Sequence, residues 1–202
     1  YSHLIWLRKG EKGIVAMRKM GLLLAVLAAF LAVSPAFAAD LPKVETPMIA
    51  TTCGQSPGAM MVKMSSMQAK VTPVEDSKTI TAEELGGKDC KTLVVTTGTS
   101  MKGMGAAGTN VEKEIARCKA LIEAAKAKGI LVIGAHVEGM ARRTDASDEA
   151  TIKAVMPLAD VILVIQDSDS DGFFTNYARE LGKELIVVKD ALGIGAKLAE
   201  MK

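Results

Sequence analysis

The chain has 202 residues, 49% hydrophobic and only 3% aromatic, with 25 Lys and Arg against 23 Asp and Glu. Residues 1–38 hold five of the basic residues and one of the acidic ones, so the remainder is mildly acidic and the whole-chain charge of +2 misleads. No basic face and no arginine-rich or aromatic-interleaved stripe is present, which argues against a nucleic-acid partner. Three widely spaced cysteines do not make a disulfide framework.

The first methionine followed by basic residues is Met17, with Arg18 and Lys19, so residues 1–16 read as an upstream, non-native extension. MGLLLAVLAAFLAV, from Met20 to Val33, is too short to span a bilayer comfortably and is followed by Ala36-Phe37-Ala38. Basic start, apolar stretch and small-residue cleavage site together predict a signal peptide over 17–38. The expectation is an exported, periplasmic or extracellular protein, with one domain over 39–202 and no membrane insertion after cleavage.

Beyond residue 39, apolar β-branched runs alternate with segments of helical period. PMIATTC (47–53), KVTPVE (70–75), KTLVVTTG (91–98), ILVIGAH (130–136), VILVIQ (161–166) and ELIVVK (184–189) read as strands. Several are apolar at nearly every position, as strands covered on both faces must be. Pro73 lacks the N–H a central strand needs, so its strand belongs at an edge.

Between the strands, Ser56-Pro57 reads as an N-cap with proline at the first helical position, and Met60, Met61, Met64 and Met67 follow on one face. Thr81 with Glu84 and Thr109 with Glu112 have capping-box spacing. A helix from about 110 ends at Gly129, another ends near Pro157, one after Gly172 ends at Gly182, and the last covers roughly 192–201.

This alternation predicts a three-layer α/β/α fold on a mainly parallel six-stranded sheet, flavodoxin-like or Rossmann-like, with strand order 2-1-3-4-5-6. Ligands of such sheets bind beyond the carboxyl ends of the strands. That rule selects four loops: TTCGQS, TGTSMKGMGAAG, HVEGMARR and DSDSDGFF.

Each loop carries a motif. Asp167, Asp169, Asp171 and Gly172 match the first half of a calcium loop, but position twelve is Ala178 rather than a bidentate glutamate. Without calcium, Asp169 or Asp171 would cap the following helix. GQSPG, Gly54–Gly58, fits the nucleophile elbow of a hydrolase using Ser56 or Cys53 with His136 as base. Pro57, however, has no N–H to offer an oxyanion hole.

GMGAAG, Gly103–Gly108, spells a dinucleotide fingerprint, but TSMK separates it from its strand and no acidic residue has the required spacing. It reads instead as a mobile glycine-rich loop that faces an anion together with Lys102. Cys53, Met101, Met104, His136 and Met140 form a soft-donor set suited to copper(I). The three cysteines, Cys53, Cys90 and Cys118, are expected as thiols. Phe173, Phe174 and Tyr177 follow the acidic loop, and Arg142 and Arg143 lie on its neighbour.

TTCGQSPGAMMVK, TSMKGMGAAG, HVEGMARR and DGFF together resemble an exported bacterial family catalogued as domain of unknown function 6305, across nearly all of 39–202. The resemblance implies export and an α/β fold; it assigns no activity or cofactor.

The leading expectation is a binding module, rather than an enzyme, for a small anionic metabolite, acting with a membrane or transport partner. Its site residues are Gln55, Ser56, Ser100, Lys102, Gly103, His136, Arg142, Asp171 and Phe174. Lys102 and Arg142 would hold the anion, the helix start at Ser56 would offer N–H groups, and the aromatic pair would cover the ligand.

Overall fold

A computed structural model of the protein describes residues 41–202. The expected extension over 1–16 and signal peptide over 17–38 lie outside the described residues. Six strands form one all-parallel sheet: β1 (Met48–Cys53), β2 (Val74–Asp76), β3 (Thr92–Thr97), β4 (Leu131–His136), β5 (Val161–Ile165) and β6 (Leu185–Val188), in the order β2-β1-β3-β4-β5-β6. This is a flavodoxin-like α/β fold.

Alternate side chains along the central strands enter opposite cores. Ala50, Val94, Ile133, Ala135 and Leu163 face one side, packed against α1 (Gly58–Gln68) and α7 (Ala191–Glu200). Ile49, Leu93, Val95 and Val132 face the other, against α2 (Ala82–Gly86) and α4 (Val111–Ala127). There Ile162 and Val164 pack with α5 (Ala146–Val155) and α6 (Phe173–Leu181). Burial on both faces accounts for the apolar runs, each buried Val, Leu or Ile side chain contributing about 1.5–3 kcal/mol.

Four expectations need correction. The second strand begins after Pro73, at Val74, because proline cannot donate to the ladder; its carbonyl instead accepts from Met48 N at 2.9 Å. It is an edge strand, as that proline requires. The glycine-rich segment is a short helix, α3 (Met101–Ala106), rather than a mobile loop, because Ser100 Oγ accepts from Gly103 N at 3.1 Å. Asn110, not Thr109, caps α4 by accepting from Lys113 N.

The fourth concerns α1, whose N-cap is Pro57 rather than Ser56; the methionines do share a face, but it is the outer one, with Ala59, Val62, Ser65 and Ser66 turned inward and Met60, Met64 and Met67 exposed. Small residues are needed there because α7 approaches closely: Gly195 N donates to Ser65 Oγ at 2.7 Å, and a Cβ on Gly195 would run into the Ser65 carbonyl. The Thr81 and Glu84 capping box is present as expected. Among the described residues, no helix is long and apolar enough to cross a membrane.

Candidate functional site

At the carboxyl edge of the sheet, the β1–α1 turn is stitched to the β3–α3 turn. Gln55 bridges Thr99, and Ser100 N donates to Gly54 O at 2.8 Å. Gly54 has φ +116, and a Cβ there would lie 2.6 Å from the Gly98 carbonyl oxygen, so only glycine fits this crossing. Gln55 is buried in a left-handed conformation, its amide donating to Lys78 O at 3.0 Å.

Ser56 is fully buried, and its hydroxyl lies 3.0 Å from that of Thr52. It makes no capping bond to α1. The N–H that begins α1, on Gly58, donates instead to Glu138 Oε1 at 3.0 Å. Glu138 Oε2 accepts from Arg142 Nε at 3.1 Å, and Arg142 Nη1 donates to Thr99 O at 2.5 Å. The helix terminus and arginine expected to hold an external anion are therefore occupied by a carboxylate of the protein.

The nucleophile and base candidates are locked. His136 is fully buried; its Nε2 lies 3.2 Å from Gly139 O and its Nδ1 2.9 Å from Thr97 Oγ1. A carbonyl only accepts, which assigns the proton to Nε2 and makes Nδ1 the acceptor. Burial lowers the His136 pKa to about 4, against opposition from the Gly139 bond. Cys53 is raised well above an ordinary thiol, first by its hydrogen bond with Cys118 and then by burial. All three cysteines are free and buried.

Two buried carboxylates brace these loops. Asp148 accepts from Thr99 N at 2.8 Å, Thr99 Oγ1 at 2.7 Å and Thr144 N at 3.1 Å. Burial pushes its pKa up, but these bonds and the Arg142 charge bring it below the ordinary value. Glu114 accepts from Gly54 N at 3.3 Å and Arg117 Nη2 at 2.9 Å. Neither was among the expected site residues; only their positions in the first turns of capped helices marked them.

The three aspartates of the acidic loop go to separate partners. Asp167 Oδ2 accepts from Met140 N, Asp169 from Thr175 N and Oγ1, and Asp171 from Phe173 N and Arg143. The Arg143 hydrogen bonds hold Asp171 down at about 2. Among the described residues, no group of three or more His, Cys, Asp and Glu could hold a metal. The soft-donor set does not assemble either: Cys53 and Met104 are buried and both His136 nitrogens are engaged.

Ser100 and Gly103 serve α3, with no room for a Cβ on Gly103 against the Gln55 carbonyl, while Lys102 is exposed. Phe174 is fully buried beside His136, with ring centroids 5.2 Å apart, so it belongs to the core and not over a ligand. Arg143 and Phe173, the sequence neighbours of Arg142 and Phe174 and both partly buried, line a surface groove instead. Arg143 lies 4.2 Å over the Phe173 ring, and with Thr144, Asp145, Glu149 and Ile152 they line a groove of about 320 Å³.

A solved structure of the RcsB response regulator of Salmonella typhimurium, in work on its conformational dynamism for DNA interaction, is similar at 13% identity and a TM-score of 0.33. The likeness covers 76% of this chain and 66% of that one, just under two thirds of its length. No curated protein matches the chain. Residues 45–201 match Domain of unknown function (DUF6305), and the chain belongs to that family.

Proposed function

We propose that the protein is an exported, non-catalytic binding module for a small zwitterionic molecule of the amino-acid class, held in the Arg143 and Phe173 groove. The observation that carries this reading is the charge pattern of the groove. The Arg143 guanidinium, paired with Asp171, and the carboxylates of Asp145, whose Oδ1 caps α5, and Glu149, paired with Lys153, line it together with the apolar Ile152 and Phe173. A ligand carboxylate would share Arg143 with Asp171, an amino group would meet Asp145 and Glu149, and an apolar side chain would lie on the ring.

This replaces the expected anion: Arg142 is paired with Glu138 away from this groove and Lys102 stands exposed outside it, whereas Arg143, although paired with Asp171 through both Nη atoms, lines the groove over the Phe173 ring. The volume suits a small ligand, since small-molecule sites begin at about 300 Å³. A hydrolase would need Ser56 or Cys53 to reach substrate with His136 as base, and the burial and hydrogen bonds of all three oppose it. Export rests on the Met20–Val33 run and Ala36-Phe37-Ala38.

Native mass spectrometry of the chain recovered from its source cells tests both parts. The expected result is a mature start at Ala39 and an organic adduct that survives chelator and is lost in Glu149→Gln and Phe173→Ala. Retention of the adduct in both variants would move the site elsewhere, and a chain still carrying residues 17–38 would overturn export by signal cleavage.

A further inference from the structure

Helix α1 turns its small residues to the sheet and three of its four thioethers to solvent, with Met61 half-buried against the core. Met60, Met64 and Met67 are 44%, 60% and 51% exposed, and Met61 lines the same groove, of about 650 Å³, between α1 and the start of α7. Among the described residues, the exposed large apolar side chains are these three, Met101, Met140, Val187 and Leu192. Methionine thus dominates the apolar surface, while the core is filled mainly by Val, Ile, Leu and Ala. Apolar contact alone would be met as well by leucine; methionine adds a soft, polarisable sulfur.

The spacing gathers those sulfurs. Residues three and four apart on a helix are neighbours, about 5–6 Å between Cβ atoms, so Met64 adjoins Met60, Met61 and Met67. Met60 and Met67 are about 10 Å apart along the axis. Unbranched thioether side chains with three rotatable bonds can converge above Met64 from both sides.

The rest of the groove is Pro57, Ser65, Gln68, Ala191 and Leu192, with no carboxylate, imidazole or charged group. Calcium and magnesium need several charged or carbonyl oxygens, and zinc needs thiolate, imidazole or carboxylate. A singly charged soft cation needs none of these. We infer that the methionine face of α1 is a cuprous-ion site, with Met60, Met64 and Met67 as donors and Met61 beside them. This site is separate from the Arg143 groove and from the buried thiols, and it takes copper already in the cuprous state, so no electron transfer is involved.

The test is an anaerobic Cu(I) titration of the full chain against a chromophoric cuprous chelator, beside the triple variant Met60→Leu, Met64→Leu, Met67→Leu. Leucine keeps the apolar surface and removes the sulfur, which separates ligation from hydrophobic docking. Because loss of an outer-sphere partner alone costs metal sites about tenfold or more, loss of the donors should weaken binding by at least about tenfold. Methyl spectra of the unsubstituted chain should show the Met60, Met64 and Met67 resonances moving with Cu(I) while Met104 and Met140 stay. Absent binding, undiminished affinity in the leucine variant, or movement only at other methionines would overturn the site, and none of these results bears on the zwitterion groove.

Discussion

His136 combines full burial with two engaged ring nitrogens, and this has a consequence for stability. Its folded pKa is about 4, against about 6.5 when unfolded. Between those values the unfolded chain binds more protons than the folded one, so stability rises with pH. The contribution is complete above about pH 6.5 and is lost as pH falls toward 4, amounting to about 3 kcal/mol over the window. The lowered carboxylates Asp148 and Asp171 act below that window, and exposed Glu149 enters only at its lower end. Urea unfolding from pH 7 to 4.5 should show this slope, and His136→Asn should flatten it; an equal slope in the variant would show that the imidazole is not held neutral.

Glu138 makes a second prediction at this scale. It fills the anion position at the start of α1 and binds Arg142. Glu138→Ala should destabilise the fold by about 2–5 kcal/mol, because it leaves Arg142 and a helix N–H without their acceptor. It should also make thermal stability rise with added sulfate beyond the response of the parent, since the vacated position retains both donors. A sulfate response equal to the parent's would mean that the helix start and Arg142 do not form an anion pocket.

At the scale of elements, the contact between α1 and α7 depends on one absent methyl group. Gly195 abuts the Ser65 carbonyl, and Ser65 Oγ accepts from Gly195 N and donates to Leu192 O at 3.0 Å. Gly195→Ala should cost at least about 1–3 kcal/mol even though alanine is the better helix former, because overpacking against backbone outweighs propensity. Gly105→Ala in α3, where a Cβ meets nothing, is the control and should be neutral or slightly stabilising. Equal effects at the two glycines would remove the close-approach explanation for the outward methionine face.

Over the whole molecule, the sheet was legible because burial on two faces writes itself as continuous β-branched runs, and because Pro73 marks an edge. Strand order followed from crossover rules that do not depend on side-chain detail. The site was less legible, for reasons of phase and competition. Arg142 and Arg143, like Phe173 and Phe174, are adjacent and chemically equal, and only the turn of the backbone decides that Arg142 reaches Glu138 while Arg143 reaches Asp171 and Phe173. Ser56 has the composition of a cap, but Glu138, eighty residues beyond Gly58, accepts the Gly58 N–H instead. Gly103 and Gly105 read as a loop because a short helix held by Ser100 leaves little periodic signal.

The central claim is that ligand binding belongs to the Arg143 and Phe173 groove, with the rest of the carboxyl edge braced internally. A hollow of about 370 Å³ at the opposite edge is one rival, but two of its lysines are engaged outside it, Lys88 with Glu75 and Lys128 with the Leu85 and Gly86 carbonyls. The measurement that decides is the amide spectrum of the 15N-labelled chain, recorded with and without the small-molecule fraction of its source cells. Shifts gathered at residues 143–149 and 173–177 are the expected result; shifts confined to residues 88–91 and 128–131, or to the β1–α1 and β3–α3 turns, would contradict the claim.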